Sequence, residues 1–308
     1  MMAERNAIGI DLGGTNIKGV LIDENGAISE RMEIPTKDSD EGEGEPWKQS
    51  VREMVDELRN RSSENISAVG LAAPGIADEF NRSIACMPGR LQGLEYFYWD
   101  DFLGLEKIPV KVLNDAQAAL IAESSFGAAK GFRHIVMLTL GTGVGGGILI
   151  NGELYQGHFQ RAGHLGHICL NEKGHYGITG MPGTLEEAIG NASLERRSNG
   201  KYSSTDKLLN DVQKGDSFAS WLWLDSIRNL ALGIGSLINA FAPEVVILGG
   251  GITRAGEDLF KPLDRFLDDV EWRPAGVKTP VRQARFQNDA GAIGVAGFAL
   301  SFLNGKPE

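Results

Sequence analysis

The chain has 308 residues, of which 42% are hydrophobic, and a formal net charge of −11 at pH 7. The acidic balance disfavours nucleic acids as partners, because their phosphates attract basic surfaces. The chain has only two cysteines, Cys86 and Cys169, too few for a framework of disulfides, and no apolar run reaches the ~20 residues that a membrane span needs. We therefore expect a cytoplasmic protein of two domains that binds neither membranes nor nucleic acids.

The first part of the chain predicts an antiparallel start followed by a helix. The predicted strands span residues 7–11, 17–22 and 27–35. An acidic loop at residues 36–45 leads into a helix predicted for residues 46–60, which begins with a proline. A glycine turn at residues 11–16 follows the first strand directly, so backbone N–H groups there could approach a phosphate without a Cβ in the way.

The next two predicted strands end at residues that suit a binding site. The strand at residues 66–71 is followed by a turn that contains Gly75, which is explained equally well as a ligand contact or as a plain strand-ending turn. The strand at residues 110–113 brings Asn114 and Asp115 to its carboxyl end, where open α/β sheets bind their ligands.

Two further glycine clusters follow strands in the second half of the chain. Residues 140–147 lead from one strand into another, which indicates a hairpin and not the strand-to-helix turn of a Rossmann fold. Residues 249–251 follow a strand predicted at 245–248. Each turn alone is better explained as a tight hairpin than as a phosphate loop, whereas the whole set, with Asp115 between the first two clusters, predicts an ATP-dependent phosphotransferase.

The remaining predicted helices span residues 116–126, 218–241 and 290–303. Apolar residues recur every three or four positions along the second of them, which is typical of a stripe that faces a core. We interpret Trp221 and Trp223 in this helix as packing or subunit contacts. The small-residue helix at the end of the chain should return to the first domain.

Together these motifs resemble the ROK family of sugar kinases and repressors, within the actin-like ATPase superfold. The matching stretches are residues 11–19, 114–116 with Glu123 after them, 140–147, 247–252 and 289–294. The resemblance implies an α/β, two-lobed actin-like ATPase (ribonuclease H-like) fold with a hinged cleft. It implies an N-terminal lobe of residues 1–115 plus 290–308, a C-terminal lobe of residues 116–289, and a homodimer. Repressors of the family carry a helix-turn-helix domain before the kinase-like part, and we expect none here because the first strand begins near Ala7.

The resemblance also implies a role for each candidate site residue. Asp115 would be the general base, and Asp11 would hold the Mg²⁺ that accompanies ATP. ATP and its phosphates would contact Asp11, Gly13, Gly14, Thr15, Asn16, Lys18, Gly141, Thr142, Gly143, Gly249, Gly250 and Gly251. The sugar would contact Gly75, Asn114, Asp115, His164, His167 and Glu186.

The chain departs from the family at its structural zinc site. Family members carry Cys-x-Cys-Gly-x-x-Gly-Cys-x-Glu, and the three cysteine places are taken here by Gly177, Thr179 and Thr184. A tetrahedral zinc needs four ligands, and His167 supplies only one of them. His175 and Cys169 lie nearby but out of register, so we predict no structural zinc.

A second departure falls in the sugar loop. The family reads Ala-Gly-Glu-x-Gly-His where this chain has residues 162–167, so that His164 replaces a glutamate. A neutral imidazole accepts one hydrogen bond, fewer than a carboxylate does. Two histidines three residues apart could also simply bond to the local backbone. Residues 90–93, beginning at Arg90, differ as well from the Asn-Leu-Pro-Gly that glucose kinases often carry.

The sequence therefore predicts an ATP-dependent hexose kinase that transfers the γ-phosphate to the primary hydroxyl of a sugar. Glucose is the default substrate, while fructose, mannose, allose or an N-acetylated amino sugar stay open. The alternative is a catalytically inactive, sugar-responsive binding or regulatory protein on the same scaffold. The altered sugar loop favours that alternative, and the complete set of Asp11, Thr15, Asp115 and Thr142 opposes it.

Overall fold

The computed structural model describes residues 5–38, 45–87, 89, 91–105 and 107–304. Arg90, the first residue of one altered stretch, and residues 39–44 of the predicted acidic loop lie outside the described residues. The chain forms two compact units, one of residues 1–131, 156–161 and 288–308 and the other of residues 132–155 and 162–287.

Strands and helices are numbered separately in chain order. The strands are β1 (Asn6–Leu12), β2 (Asn16–Ile22), β3 (Ile28–Pro35), β4 (Ile66–Ala73), β5 (Ile76–Ala77), β6 (Ile84–Cys86), β7 (Val110–Asn114), β8 (Ile135–Leu140), β9 (Val144–Ile150), β10 (Glu153–Leu154), β11 (Val245–Gly249) and β12 (Val281–Gln283). The α-helices are α1 (Pro46–Arg61), α2 (Trp99–Leu103), α3 (Asp115–Ser125), α4 (Leu185–Ile189), α5 (Asn191–Arg197), α6 (Thr205–Gln213), α7 (Ser217–Phe241), α8 (Glu257–Val270) and α9 (Ala290–Ser301).

The first unit is built on a sheet in the order β3-β2-β1-β4-β7. The first three strands of the chain pair antiparallel, while β4 and β7 run parallel to β1. Strands β1 and β4 are almost wholly buried, as expected of central strands covered on both faces. Edge strand β3 alternates half-buried and exposed residues. Helix α1 buries Val51, Met54, Val55 and Leu58, whose spacing of three and four residues forms one apolar stripe.

Helix α9 packs unusually close to its neighbours because small residues face them. A Cβ added at Gly9 of β1 or at Gly70 of β4 would overlap the backbone of α9, and one added at Gly294 would overlap the backbone of Ala118 in α3. These glycines let the backbones of helix and sheet approach each other directly. Helices α3 and α9 therefore pack together on the first sheet.

The second unit contains a sheet in the order β10-β9-β8-β11-β12, with β8 and β9 antiparallel and β11 parallel to both β8 and β12. Helix α7 crosses its core and packs against α4, α6 and α8. Asp216 caps the start of α7, where its Oδ1 accepts a hydrogen bond from the Ala219 N–H at 2.7 Å. Trp223 is buried and donates its indole N–H to the Asp258 carbonyl at 3.0 Å, whereas Trp221 is 59% exposed.

The division between the units differs from the predicted boundary after residue 115. Helix α3 groups with the first unit because it packs against α9, and residues 156–161 group with it too. The Gln156 Nε2 donates to the Gln117 Oε1 of α3 at 3.3 Å, which ties this segment to the first unit. Across the described ranges, no helix is both long enough and apolar enough to cross a membrane.

Candidate active site

Three parallel strands of the first unit end side by side at one edge of its sheet. Asp11 of β1 pairs with Ala72 of β4, and Ala73 pairs with Asn114 of β7. This register brings Asp11, the turn at Gly75 after β4, and Asn114 with Asp115 to the same carboxyl edge. The strand ends that the sequence analysis identified in this unit therefore lie side by side at one edge of the sheet.

Asn114 forms hydrogen bonds both to Gly75 and to the start of α3. Its Oδ1 caps α3 by accepting from the N–H groups of Ala116 at 3.0 Å and Gln117 at 3.3 Å. Its Nδ2 donates to the Gly75 carbonyl at 3.0 Å. Asn114 is only 8% exposed, and these hydrogen bonds hold Gly75 against the start of α3.

Asp115 is the first residue of α3, and its Oδ1 accepts from the Ala116 N–H at 2.8 Å. Water reaches the exposed carboxylate, yet burial raises its pKa above the ordinary value, against the opposing effect of hydrogen bonds from Ala116 and Asn114. A raised pKa suits a group that must take up a proton near neutral pH.

Asp11 and Asp115 repel each other electrostatically. Burial, followed by the charges of Asp115 and Asp289, raises the pKa of Asp11 to about 7, and only Lys18 opposes the shift. Gly291, in the first turn of α9, leaves space at the Asp11 carboxylate, since a Cβ there would lie 2.6 Å from its Oδ2. A divalent cation at Asp11 would offset this repulsion, so the charges at this edge fit Mg²⁺.

The first glycine loop, between β1 and β2, is held from behind by Thr36. The fully buried Thr36 donates its hydroxyl to the Gly13 carbonyl at 2.6 Å and its N–H to the Thr15 carbonyl at 2.9 Å. Gly14 and Thr15 are exposed on this loop. Because two loop carbonyls are occupied by Thr36, the exposed part of the turn is fixed in one conformation.

Two predicted phosphate contacts also have partners inside the first unit. The Asn16 Nδ2 donates to the Glu33 Oε1 at 2.8 Å, so this side chain is directed to β3. The Lys18 Nζ donates to the Asn288 carbonyl at 3.4 Å, just before α9. Glu123, which the family motif included, is fully buried, and its Oε2 accepts from the Ala128 N–H at 2.8 Å. Glu123 therefore stabilises the loop after α3.

Both glycine clusters of the second unit lie at one edge of its sheet. Gly141 to Gly143 connect β8 to β9, and Gly249 pairs with Thr139 next to them. Gly250 has a φ of +86°, and a Cβ there would lie 2.7 Å from the Leu140 backbone nitrogen. The two clusters are thus in direct contact, and only glycine fits at position 250.

The start of α5 holds the loop between β8 and β9. The Asn191 N–H donates to the Gly141 carbonyl at 3.0 Å, and the Ala192 N–H donates to the Thr142 carbonyl at 2.9 Å. Thr142 itself is exposed. As in the first glycine loop, bonds to the carbonyls fix the loop and leave a threonine at the surface.

Glu186 holds the end of the second glycine loop, where β9 begins. It lies in the first turn of α4, and its Oε2 accepts from the Val144 N–H at 2.9 Å, at the start of β9. Gly143 leaves room for this carboxylate, since a Cβ there would overlap the Glu186 Oε2. One carboxylate oxygen is thereby used to order the loop.

His164 and His167 flank a short turn with their rings nearly parallel, 6.4 Å apart between centroids and 13° between planes. A Cβ at Gly166 would overlap the carbonyl carbon of Val144, so this turn packs closely on β9. The His167 Nδ1 is buried and has no hydrogen-bond partner within the described part of the chain. This nitrogen is available to a ligand.

Backbone hydrogen bonds order the loop in which the family holds zinc. The Gly177 N–H donates to the Met181 carbonyl at 2.9 Å, and the Gly183 N–H donates to the His175 carbonyl at 2.8 Å. Thr184, at one of the cysteine places, caps α4 by accepting from the Glu187 N–H at 3.2 Å. Among the residues that the structure covers, no three His, Cys, Asp or Glu side chains cluster as a metal site.

Sequence reasoning missed Thr36, Asp289 and Gly291. A threonine after a strand is too common to single out, and the charge of Asp289 matters only because α9 returns to the end of β1. The motif at residues 289–294 identified the segment without revealing that it approaches Asp11.

Comparisons with known proteins agree over nearly the whole chain. The ROK family profile matches residues 7–301. A glucokinase of Thermotoga maritima is 32% identical over 326 residues, which cover 99% of this chain and 100% of that enzyme. An N-acetylmannosamine kinase of Escherichia coli is 29% identical over 293 residues, which cover 94% of this chain and 96% of that enzyme. A solved ROK family glucokinase from Streptomyces griseus, in complex with glucose and AMPPNP, is 28% identical with a TM-score of 0.77 and covers 96% of this chain and 99% of its own.

Proposed function

Because the chain belongs to the ROK family, which has the actin-like ATPase fold, we propose that it is an ATP-dependent sugar kinase. More specifically, we propose that it transfers the γ-phosphate of ATP to the primary hydroxyl of a hexose. The relatives named as glucokinase and N-acetylmannosamine kinase support the general class. The solved relative with glucose and AMPPNP supports an adenine nucleotide as the second ligand.

Asp115 is the general base in this proposal. It accepts the proton of the sugar hydroxyl as the hydroxyl oxygen attacks the γ-phosphorus in line, and the bond to the leaving ADP oxygen breaks. The observation that carries the assignment is the position of Asp115 at the first turn of α3, with a pKa raised by burial and a neighbouring acidic group in Asp11. A carboxylate that is both reachable and more basic than usual is suited to this step.

Asp11 has a different task in the proposal, although it is also an aspartate at the same sheet edge. Mg²⁺ held by Asp11, directly or through water, would neutralise charge on the phosphates. The exposed Gly14, Thr15 and Thr142 are proposed phosphate contacts, together with the other residues of the glycine loops named above. Fixed loop backbones favour this role because they lose little freedom when a phosphate binds.

The sugar contacts proposed are Gly75, Asn114, His164, His167 and Glu186. Glucose is the default hexose, and fructose, mannose, allose and N-acetylated amino sugars are the other candidates. His164 is the position expected to decide among them, because it stands where the family has a glutamate. The domain boundary after residue 115, the homodimer and the cytoplasmic location remain predictions.

His164 also favours a second candidate function, a sugar-responsive binding or regulatory protein without kinase activity. An imidazole in place of a carboxylate weakens the capacity of the loop to accept hydrogen bonds. The two candidates differ in one measurable property, since only the kinase releases ADP when a hexose is added.

A coupled assay of ADP release with MgATP, run across glucose, fructose, mannose, allose and N-acetylated amino sugars, tests the proposal. We expect turnover with at least one hexose and no turnover when Mg²⁺ is chelated. Hexose binding without any ADP release would instead support the regulatory protein. A thermal-shift titration with the same sugars distinguishes binding from its absence.

A further inference from the structure

Residues 156–161 form a turn in the first unit that two consecutive left-handed residues shape. Phe159 has a φ of +54° and Gln160 a φ of +57°, and neither is a glycine. This backbone is unfavourable for residues with a Cβ and persists where the surroundings require it. Such positions cluster at functional sites.

Gln160 carries such a group. The residue is only 8% exposed, and its Oε1 is buried with no hydrogen-bond partner among the residues that the structure describes. Buried side-chain acceptors nearly always have a partner, because leaving one unpaired in the interior is unfavourable. The Gln160 Oε1 therefore needs a donor that the described residues do not supply.

The residues on either side of Gln160 are exposed and face a cavity. Phe159 and Arg161 are exposed and line a cavity of about 510 Å³ together with Phe80 and Tyr96. Gln160 does not line that cavity. The left-handed pair thus places Phe159 and Arg161 at that cavity and Gln160 away from it.

The same turn is attached to the helix that begins with the candidate base. Gln156, at the start of the segment, donates to Gln117 in α3, two residues after Asp115. The segment that carries Gln160 therefore belongs to the same compact unit as Asp115, and this hydrogen bond attaches it to the helix that Asp115 begins.

We propose that Gln160 is a specificity-determining residue of this kinase, whose Oε1 accepts a hydrogen bond from a hydroxyl or an amide N–H of the sugar substrate. The inference rests on the proposed function. A neutral amide oxygen selects sugars that place a donor at this position and disfavours those that lack one, because the acceptor would then remain unpaired.

Two variants and a matched control test the proposal. Gln160→Met keeps the length and removes the acceptor, while Gln160→Gly also relieves the left-handed backbone. In both we expect kcat/KM for the preferred hexose to fall about ten- to hundredfold, with KM for ATP within about twofold of the wild type. The melting temperature should stay close to that of the wild type in Gln160→Met, which keeps the buried volume. The control, Gln156→Met, removes an amide that has a protein partner and should leave the ranking of hexoses unchanged.

An unchanged KM and ranking of hexoses in Gln160→Met would overturn the inference and assign the acceptor to an internal water. A lower melting temperature with unchanged sugar kinetics would overturn it too, since it would mean a structural role. If the wild type phosphorylates no hexose of the panel, the proposed kinase function is refuted. The inference about Gln160 is then tested by the thermal shifts that the same sugars cause in the wild type and in Gln160→Met. A shift lost in Gln160→Met supports the inference, whereas an equal shift in both proteins, or none in the wild type, refutes it.

Discussion

Asp115 receives a backbone hydrogen bond from the residue after it and carries a pKa raised by burial. Asp115→Asn keeps the shape of the side chain and removes the base. We expect turnover to fall by about 10²- to 10⁴-fold, while the Kd of the sugar stays within about tenfold of the wild type. Single-turnover kinetics and sugar titration measure the two effects. More than a tenth of the wild-type turnover in the variant would show that another group takes the proton.

His164 is the residue at which a change of sugar preference is expected. A glutamate there could accept from two adjacent hydroxyls, whereas a neutral imidazole accepts from one. His164→Glu should therefore change relative kcat/KM among epimeric hexoses by about ten- to hundredfold, most of all in favour of glucose, with little change in KM for ATP. The panel assay measures this ranking. If the ranking is the same in both proteins, His164 does not contact the sugar.

Several residues of the site could be predicted from the sequence, because their chemistry is local to a motif. Asp11, Asp115 and the glycine loops follow strands, and strand ends are visible in the pattern of apolar residues. Thr36 and Gly291 could not be predicted in the same way, since their roles arise from contacts with residues far away in the chain. Gln160 has no motif at all, and only its burial and backbone conformation single it out.

At the scale of elements, the long helix α7 depends on its first cap. Asp216→Ala removes the acceptor of the Ala219 N–H hydrogen bond. It also removes the ion pair with Lys201, whose Nζ lies 2.9 Å from the Asp216 Oδ2. These interactions lower the pKa of Asp216 below its ordinary value, the Ala219 N–H most of all. When the pKa of a carboxyl group is lower in the folded state than in the unfolded state, the group stabilises the protein at pH values above its pKa in the unfolded state. This stabilisation is lost as the pH falls through the pKa of the group in the folded state.

We therefore expect the melting temperature of Asp216→Ala to lie a few degrees below the wild type at pH 7, with a gap that narrows at pH values under about 4. Thermal melts followed by circular dichroism across this pH range measure the gap. Asp269→Ala, an exposed position of α8, is the control and should melt with the wild type. A gap that is the same at pH 7 and pH 3 would contradict the role of the ionised cap.

The loop between His167 and α4 is the element expected to do without zinc. Glycine and threonine occupy the cysteine places, and backbone hydrogen bonds close the turns. Elemental analysis of the purified protein should give far less than one zinc per chain, and a chelator should leave the melting temperature unchanged. Zinc close to one per chain, or unfolding on chelation, would refute this prediction.

Many of the elements could be predicted, because periodicity and turn residues are local signals. The three first strands, α1, β4, β7, α3, α7, β11 and α9 all lie where the apolar pattern placed them, with ends that differ by at most two residues. The short helices α4 and α5 had no such pattern, since they are only five and seven residues long. Their positions depend on the glycine loop and the sheet against which they pack.

At the scale of the whole molecule, Gly294 joins residues from opposite ends of the first unit. Gly294→Ala improves helix propensity by up to ~1 kcal/mol, but the new Cβ meets the Ala118 carbonyl and forces α3 and α9 apart. We expect a net loss of about 1–3 kcal/mol in the free energy of unfolding, measured by denaturant titration. Gly235→Ala in α7 is the matched control, because its nearest neighbour would be 3.5 Å from the Cβ, and this variant should be as stable as the wild type or more so.

If Gly294→Ala had the same free energy of unfolding as the wild type, α3 and α9 would be able to move apart without destabilising the protein. The sequence predicted that the last helix returns to the first domain but not that it brings α3 with it. The contact between residues 118 and 294 has no local signal in the sequence, because it joins residues far apart in the chain.

The position of α9 has a consequence for how the chain acquires its structure during synthesis. Domains usually fold in the order in which the ribosome produces them. Here the helix that covers β1 and β4 follows every residue of the second unit in the chain, so it is translated after that unit. The face of β1 and β4 that α9 covers therefore stays open while the second unit is made, and the first unit is completed only after the second has been translated.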